Sequence, residues 1–584
     1  MGVLFVLVAA IAAAASGASS SSTREALRTL HQPTKVAKLD SHLAGLRGAT
    51  VRVELLAARQ ARARALVARE DGSVESSYGR LVEALVPVGA LSTLARSGAV
   101  RFVREPAQPV PEAVRGEGVA STGAASWHKA GARGEGVKIA VVDLGFDGYR
   151  RSQASGDLPA SVVKADFCPA GGFAATGHGT AVAEIVAEMA PGAKIYLVCA
   201  QSLAALGEAA DYARAHRIEI VSHSVSWLNT SRGDGAGSAD SPEGIVAAAR
   251  RAGILWVNAA GNRAEQHWSG TFADSNANGW HEFAAGDEGN TIVVPAGGYV
   301  CAALKWDDWP ASAEDYDLYV TRSPGGSVVA SSTNPQTGSE PPTELACRIN
   351  SSRTTENYAI AIRASGTSGR PVRFDLFTYP GANLEYRVAD GSVTEPGTSP
   401  AALAVGAVCW RDNGLEAYSS RGPTIDGRIK PDLVAPDSVS SLTFGPFVSC
   451  GSSGFAGTSA ATPHVAAAAA LAKQTNPSFG PDELQAYLED RATDLGATGK
   501  DTAFGSGALA LGAAPRLPLR PCAVPALVGR RLATARSAIT RAGCALGRVR
   551  RLRSRARSGR VLSQRPRTGT RLAPRGRVSL TVGR

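Results

Sequence analysis

The sequence predicts an α/β domain built on a parallel sheet, interrupted by an inserted β-sandwich and followed by a small α+β module. Apolar strand-like runs alternate with helical stretches over residues 137–257 and again over 401–511, a pattern typical of a parallel sheet with crossover helices. The intervening residues 263–397 are rich in Thr, Ser, Gly and aromatic residues in short alternating runs, which indicates antiparallel strands. Residues 516–584 stand apart because they hold 19 of the 62 basic residues and no acidic one.

The composition is that of a folded protein with several domains. Hydrophobic residues make up 44% of the 584 residues and charged residues 19%, which excludes a wholly disordered chain. The length is several times that of a typical domain. The formal charge of +11 belongs to the C-terminal residues, since the rest of the chain has 51 acidic side chains against 43 basic ones.

Residues 1–18 have the features of a signal peptide. The apolar run at residues 3–15 is too short to span a bilayer, and small residues follow it. No Lys or Arg precedes the run, so a weak membrane anchor and a misplaced start stay open as alternatives. We expect a secreted, extracellular protein with no membrane span after removal of the signal peptide.

Residues 24–112 predict a small α/β unit that precedes a linker. Strand-like stretches at 50–56 and 81–87 accompany a helical stretch at 59–69. Pro, Gly and Ser accumulate between residues 106 and 136, which marks a flexible segment accessible to proteases. A cleavage point is therefore expected in this linker.

Eight cysteines suit an exported protein, because an even number can be paired completely in an oxidising compartment. Eight cysteines allow 105 pairings, and the sequence leaves the choice among them open. Pairing neighbours along the chain would give Cys168–Cys199, Cys301–Cys347, Cys409–Cys450 and Cys522–Cys544. The chain has no CxxC pair and no His-Cys cluster that would indicate a zinc or redox site.

Three short segments each place a reactive side chain at the end of a predicted element. Asp143 ends a buried strand. Residues 177–183 (Gly-His-Gly-Thr-Ala-Val-Ala) put His178 at a helix start, and residues 457–466 (Gly-Thr-Ser-Ala-Ala-Thr-Pro-His-Val-Ala) put Ser459 at another. Unpaired N–H groups at a helix start favour developing negative charge. Taken singly, each residue is more typical of a cap or a turn.

Together, the order and flanks of these segments resemble the subtilisin-like serine peptidases. The resemblance covers residues 120–262 and 398–512, and residues 257–262 and 430–436 match as well. It implies a subtilisin-like parallel sheet with helices on both faces, and hydrolysis of peptide bonds through an acyl-enzyme intermediate. It implies no cofactor for this chemistry.

The resemblance also implies a role for each site residue. Ser459 would be the nucleophile, His178 the general base and then acid, and Asp143 the carboxylate that orients the imidazole. Asn262 would complete the oxyanion hole together with the N–H of Ser459. Leu144 departs from the pattern, because Ser or Thr commonly follows the aspartate.

The resemblance places the primary specificity pocket between a substrate-binding strand and the segment before Asn262. The residues expected to line it are Ser226, Trp227, Leu228, Ala259, Ala260 and Gly261. These residues favour an uncharged substrate side chain. His223 and His464 are expected to be structural.

The flanking parts of the catalytic domain extend the resemblance. Residues 24–112 occupy the position of the pro-region of many secreted subtilases, which predicts a zymogen that cuts its own chain between about residues 105 and 136. Within the insert, residues 306–309 and 315–319 resemble the β-sandwich domains of secreted bacterial peptidases. The clustered carboxylates there could hold structural Ca²⁺, or they are solvated acidic loops.

The C-terminal residues 516–584 resemble a single PASTA domain, with the likeness carried by residues 522–529, 535–543, 559–566 and 576–582. PASTA relatives are associated with cell-wall peptidoglycan, which implies docking to peptidoglycan or to anionic wall polymers. The 19 arginines would attract anionic polymers in any case. A solvated basic face without a partner stays open.

Two other functions are compatible with the sequence. The first is a noncatalytic wall-binding or adhesive protein on an inactive peptidase scaffold. The second is a nucleic-acid binder, which only the charge of the tail suggests, and no recognised reader of nucleic-acid sequence supports it. The natural substrate, the cleavage preference and the oligomeric state stay open.

Overall fold

The computed structural model describes residues 38–44, 46, 49–106, 110–111, 117–323, 326–451, 454–515, 521–552, 559–573 and 576–583. The expected signal peptide lies outside the described residues. The chain divides into two compact units, Met1–Ala514 and Pro515–Arg584. None of the helices in the described ranges has both the length and the apolar character of a membrane span.

The N-terminal subdomain (residues 38–106) is a four-stranded antiparallel sheet with helices on one face. Its elements and the linker strand β5 are α1 Ser41–Ala44, β1 Thr50–Ala57, α2 Gln60–Arg69, β2 Ser73–Tyr78, β3 Leu81–Pro87, α3 Leu91–Arg96, β4 Val100–Arg104 and β5 Val110–Pro111. The strand order is β2-β3-β1-β4. Alternate residues of β3, such as Val82 and Ala84, fill the core of this subdomain, while Leu81 joins the core of the following α/β domain.

The first part of the α/β domain alternates strands and helices as the sequence predicts. Its elements are α4 Ala124–Ala130, β6 Lys138–Asp143, α5 Tyr149–Ser155, β7 Val163–Asp166, α6 His178–Met189, β8 Lys194–Cys199, α7 Leu203–Ala215, β9 Ile220–His223, β10 Val225–Ser226, α8 Pro242–Arg251 and β11 Leu255–Ala259. The apolar run at residues 219–225 forms two separate strands, β9 and β10, because Ser224 belongs to neither.

The insert is an antiparallel β-sandwich, as predicted. Its strands are β12 His267–Thr271, β13 Asn290–Val294, β14 Tyr299–Trp306, β15 Asp315–Arg322, β16 Val328–Ser332, β17 Thr343–Ile349, β18 Glu356–Gly366 and β19 Arg373–Tyr379. They form two four-stranded sheets, ordered β12-β19-β14-β17 and β13-β18-β15-β16. Aromatic and branched side chains between the sheets, among them Trp306, Tyr316 and Phe374, form the sandwich core.

The chain then completes the α/β domain. Its last elements are β20 Ala402–Cys409, β21 Leu433–Asp437, α9 Thr458–Thr475 and α10 Pro481–Glu489. The resulting seven-stranded sheet is parallel throughout, with the order β21-β20-β11-β9-β6-β8-β7. Helix α9 is buried along nearly its whole length, and its run of alanines allows it to pack closely on the sheet. The predicted fold class is confirmed.

The C-terminal unit is a small α+β module. Its elements are β22 Cys522–Ala523, α11 Leu532–Arg541, β23 Ala545–Leu552, β24 Val561–Arg565, β25 Arg571–Leu572 and β26 Arg577–Gly583. The sheet order is β23-β26-β24, and β22 pairs with β25. Ile539 of α11 and Leu580 of β26 share the apolar core of the module.

The four disulfides join Cys168 to Cys199, Cys301 to Cys347, Cys409 to Cys450 and Cys522 to Cys544. These are the pairs obtained by joining neighbours along the chain. Each bond lies within one folded part, and Cys301 stands directly opposite Cys347 in the β14–β17 ladder.

Candidate active site

Asp143 and His178 meet at the carboxyl edge of the parallel sheet. Asp143 is the last residue of β6 and His178 the first of α6, and both side chains are buried. Nδ1 of His178 lies 2.7 Å from Oδ1 of Asp143. Since a carboxylate oxygen accepts, Nδ1 carries the hydrogen of this contact, and Nε2 is on the far side of the ring. The contact therefore fixes the orientation and the tautomer of the imidazole.

Gly179 allows α6 to begin this close to the end of β6. A Cβ at position 179 would lie 2.6 Å from the carbonyl oxygen of Gly145 and 2.8 Å from Cβ of Asp143. Any other residue would push the helix start away from the strand. The glycine after His178 is therefore a packing requirement of the Asp143–His178 contact.

The residue after Asp143 affects the hydrogen bonding of the Asp143 carboxylate, because Leu144 stands where Ser or Thr is common. Oδ1 accepts the N–H of Leu144 at 2.8 Å. Oδ2 is buried and has no hydrogen-bond partner among the residues that the structure describes. Leu144 lacks the hydroxyl that Ser or Thr would bring to this position, so one hydrogen bond to the carboxylate is missing.

His223 lies beside this pair but is fully occupied by structural contacts. Its Nδ1 donates to the carbonyl oxygen of Val142 at 2.9 Å, and its Nε2 accepts from Nε1 of Trp227 at 3.2 Å. Burial lowers the pKa of His223 to about 4, against the raising effect of the Val142 hydrogen bond and of the Asp143 charge. His223 is therefore neutral near pH 7.

Ser459 is the second residue of α9, where a helix has no intrahelical acceptor for its N–H groups. Its hydroxyl donates to the carbonyl oxygen of Ser224 at 3.0 Å, and the hydroxyl of Ser224 donates to the carbonyl oxygen of Ser459 at the same distance. Gly457, which precedes the helix, has a φ of 121°, a conformation that favours glycine. The centroid of the Phe455 ring lies 5.5 Å from that of the His178 ring, so the segment that leads into α9 lies beside the start of α6.

Asn262 follows β11 and is held by Thr458, the residue before Ser459. Its Oδ1 accepts from the N–H of Thr458 at 2.9 Å and from the Thr458 hydroxyl at 3.0 Å. The N–H of Gly261 donates to the same hydroxyl at 3.2 Å. With its oxygen held on this side, the amide Nδ2 of Asn262 is directed away from Thr458. The arrangement suits a second donor beside the N–H of Ser459.

The six residues predicted to line the specificity pocket have different surroundings. Ser226, Ala260 and Gly261 are linked through Thr394, whose Oγ1 lies 2.8 Å from Oγ of Ser226 and 3.3 Å from the carbonyl oxygen of Ala260. A Cβ on Gly261 would lie 2.8 Å from Oγ1 of Thr394. Ala259 is buried in β11. The sequence did not indicate that Thr394 belongs to this pocket, because Thr394 lies near the end of the insert, far from Ala260 along the chain.

The other two predicted pocket residues are engaged elsewhere. Trp227 is fully buried in the core of the α/β domain and bonds to His223. Leu228 packs against the sandwich, in a cluster with Ala303 and Tyr379. The sandwich therefore forms one wall beside the predicted substrate strand.

That strand is already paired with a segment of the same chain. β5 and β10 are antiparallel, with Pro111 opposite Val225 and Val110 opposite Ser226. The linker that joins the N-terminal subdomain to the α/β domain thus lies on the strand predicted to bind substrate. The described part of the linker supplies a backbone ladder of the kind an extended peptide makes.

Metal ligation has little support within the described ranges. Two clusters have suitable spacing, Asp166 with Cys168 and Cys199, and Glu416 with Cys409 and Cys450. Both contain the two sulfurs of a disulfide, which are not thiolates. In the insert, the Asp308 carboxylate accepts from the Ser312 hydroxyl and pairs with Arg370, so structural Ca²⁺ stays a prediction.

Comparisons with known proteins identify two families. The profile of the Subtilase family (Peptidase_S8) matches residues 134–298 and 319–507, and that of the PASTA domain matches residues 523–584. Among curated relatives, alkaline elastase YaB from Bacillus sp. (strain YaB) is 40% identical over 127 residues, which are 22% of this chain and 30% of the relative. Subtilisin Savinase from Lederbergia lenta is 35% identical over 126 residues, 22% of this chain and 42% of the relative.

The chain thus covers less than half the length of these two relatives. A solved structure, that of the Clostridium Perfringens CspB protease, aligns with 67% of this chain and 97% of its own, at a TM-score of 0.47 and 18% identity.

Proposed function

The chain belongs to the subtilase family, and from this premise we propose that it is a secreted serine endopeptidase using Asp143, His178 and Ser459. The observation that carries the proposal is the 2.7 Å contact between Nδ1 of His178 and Asp143. A serine hydroxyl needs a base to become a nucleophile near neutral pH, and the base needs a fixed tautomer. The contact supplies the second requirement.

The proposed reaction divides hydrolysis into two steps. Oγ of Ser459 bonds to the carbonyl carbon of the substrate while Nε2 of His178 takes the hydroxyl proton, and that proton then passes to the leaving nitrogen as the C–N bond breaks. A water molecule next attacks the ester, and His178 again takes the proton and returns it to Ser459. The Asp143 carboxylate stabilises the charged imidazole in both steps.

The oxyanion of each tetrahedral intermediate would be bound by two donors. These are the N–H of Ser459 at the start of α9 and Nδ2 of Asn262, whose oxygen Thr458 holds in place. Donors fixed before the reaction lower the barrier because they need no reorganisation when charge develops.

The N-terminal part of the chain supports synthesis as a zymogen, with residues 1–18 as the signal peptide and 24–112 as the pro-region. The ring of Tyr78 packs on α7, where a Cβ at Gly207 would lie 2.3 Å from it. The N–H of Arg80 donates to Asp240, and its guanidinium pairs with the same carboxylate. Together with the β5–β10 pairing, these contacts would block the substrate strand until the linker is cut and released.

The C-terminal unit supports docking to the cell wall. It matches the PASTA domain, and its 19 arginines without an acidic residue favour peptidoglycan carboxylates or other anionic wall polymers. Deletion of residues 516–584 should abolish co-sedimentation of the protein with purified cell walls. Unchanged co-sedimentation would contradict the docking role.

Labelling with a fluorophosphonate tests the proposed chemistry. The purified chain should form a stable adduct on Ser459, degrade casein, and lose its N-terminal part, whereas the Ser459→Ala variant should stay unlabelled, inactive and uncut. A folded chain that takes no label and leaves casein intact would instead act only as a noncatalytic wall-binding protein.

A further inference from the structure

Asp437 is a buried carboxyl group at the end of β21, beside the start of α9. Its Oδ1 accepts the N–H of Gly457 at 2.8 Å and also the N–H of Ser438. Its Oδ2 accepts the hydroxyl of Tyr418. Asp437 is fully buried, so water does not compete for these contacts. The carboxyl group thus connects the end of a strand with the residue that stands two positions before Ser459.

Gly457 determines how the chain enters α9. It is the residue before the helix, with φ 121° and ψ 159°, and its carbonyl oxygen accepts the N–H of Ala460 at 2.9 Å. Glycine has more backbone freedom than any other residue, so its conformation depends on outside contacts. The N–H bond to Asp437 is such a contact. Rotation of Gly457 would displace the hydroxyl and the N–H of Ser459, which follows after one residue.

The backbone next to Asp437 is held in an unfavourable conformation. Ser438 has a φ of 61°, in the left-handed region that favours glycine. Its N–H donates to Asp437, and its hydroxyl accepts the N–H of Gly451 at 3.0 Å. The next residue, Val439, forms an antiparallel bridge with Phe455. A strained residue persists where the surrounding contacts impose its conformation, and here those contacts direct the Asp437 carboxyl towards the segment that leads into α9.

The surroundings of Asp437 favour its neutral form. Burial raises the pKa of Asp437 well above its ordinary value, and the hydrogen bond from Tyr418 opposes this shift only in part. The charge of Glu416 raises the pKa further. A neutral carboxyl group places no negative charge beside the N–H of Ser459, where an oxyanion is proposed to form. An amide side chain is therefore the closest substitute for this carboxyl group.

From these contacts we propose that Asp437, supported by Tyr418, is a positioning residue that fixes Gly457 and thereby the hydroxyl and the N–H of Ser459. The inference rests on the proposed function and adds two side chains to the residues that the family resemblance implied. Asp437 acts through the backbone of Gly457. Its loss should therefore reduce turnover, which depends on exact placement of the reacting groups, and should leave substrate binding nearly unchanged.

Three variants test the role of this pair. Asp437→Ala leaves the N–H of Gly457 without its acceptor, and we expect kcat on fluorescent casein to fall about tenfold, less than the 10²–10³ for complete loss of an oxyanion donor, with KM within about twofold. Asp437→Asn keeps an acceptor oxygen and should retain kcat within about threefold of wild type. Tyr418→Phe removes only the supporting hydroxyl and should lower kcat about three- to fivefold.

Two measurements distinguish positioning from a general loss of stability. The rate constant for labelling by a fluorophosphonate should fall by the same factor as kcat, because the label reacts with the same hydroxyl and its oxygen uses the same donors. Ser419→Ala is the matched control, since Oγ of Ser419 is a buried acceptor for the N–H of Ala407 at 3.0 Å. It should lower the stability to denaturant, yet keep the wild-type kcat for each Ser459 that the label titrates.

The outcomes separate this inference from the proposed function. If Asp437→Ala keeps the wild-type kcat and labelling rate, the inference is wrong and the peptidase function stands. The same holds if Asp437→Asn loses as much turnover as Asp437→Ala, or if Ser419→Ala loses as much. Where Asp437→Ala does not fold, a wild-type kcat in Tyr418→Phe would contradict the inference. A wild-type chain that takes no label and leaves casein intact would overturn the proposed function and this inference together.

Discussion

Substitution of Thr458 by valine should reduce turnover without weakening substrate binding. Three hydrogen bonds connect Thr458 with Asn262 and Gly261, and the Thr458 hydroxyl takes part in two of them. In Thr458→Val only the contact from the backbone N–H to Asn262 at 2.9 Å remains. At about 0.5–1.5 kcal/mol for each neutral hydrogen bond, the loss is about 1–3 kcal/mol of local stabilisation. The Asn262 amide then rotates more freely.

The size of the effect on catalysis has an upper limit. Complete removal of an oxyanion-hole donor typically costs about 10²–10³ in kcat. Since Thr458→Val keeps the amide and only loosens it, we expect kcat to fall about tenfold, or about 1.4 kcal/mol, with KM within about twofold of wild type. Thr458→Ser keeps the hydroxyl and should restore most of the turnover.

Steady-state kinetics of four proteins would measure this: the wild type, Thr458→Val, Asn262→Leu and the double variant. If Thr458 acts through Asn262, the valine substitution has little further effect once the amide is gone. An equal loss of kcat in both backgrounds would refute this reasoning, as would a change confined to KM. Thr458 would then act on the start of α9 and not on the amide.

Three further predictions concern stability, pH and oxidation. Glu395→Gln should lower the free energy of unfolding by about 3–5 kcal/mol, because it leaves the ammonium of Lys305 buried without its paired carboxylate; denaturant unfolding measures this, and a double variant with Lys305→Met should recover much of the loss. Burial raises the pKa of Glu83 to about 7 at the face that packs on the α/β domain, so the proposed pro-region would bind more protons when docked than when released, between about pH 4.5 and 7. The affinity of this region for the α/β domain should therefore fall as pH rises through this range, and activity after self-cleavage should appear faster at pH 8 than at pH 5. The Glu83→Gln variant should show a weaker dependence of this affinity on pH. Activity should survive mild peroxide, since Ala460 follows the nucleophile and Met189 is buried; rapid inactivation would contradict this expectation.

Local signals explain why some elements were predictable from the sequence. The start of the helix at 242–251 can be read from the sequence, because Ser241 caps it and Pro242 occupies its first position. The helix at 178–189 likewise begins after Gly177 and ends before Pro191. In both cases the residues that set the helix boundaries lie directly beside the helix in the sequence.

Features that depend on distant parts of the chain were not predictable. The strand at 219–225 reads as continuous, yet Ser224 leaves the ladder to exchange hydrogen bonds with Ser459, 235 residues away. Thr394 joins the cleft only because the insert returns beside Ala260.

The sandwich departs from the α/β domain just after Asn262, and the chain comes back where the N–H of Thr394 donates to the carbonyl oxygen of Ala260 at 3.0 Å. Two ends this close together are the geometry in which a host fold accepts a foreign domain without distortion. The same geometry makes this junction suitable for exchange of the insert. Exchange of the whole insert for another, with only these two ends kept, should give a set of proteins that share the proposed active site and differ in access to it.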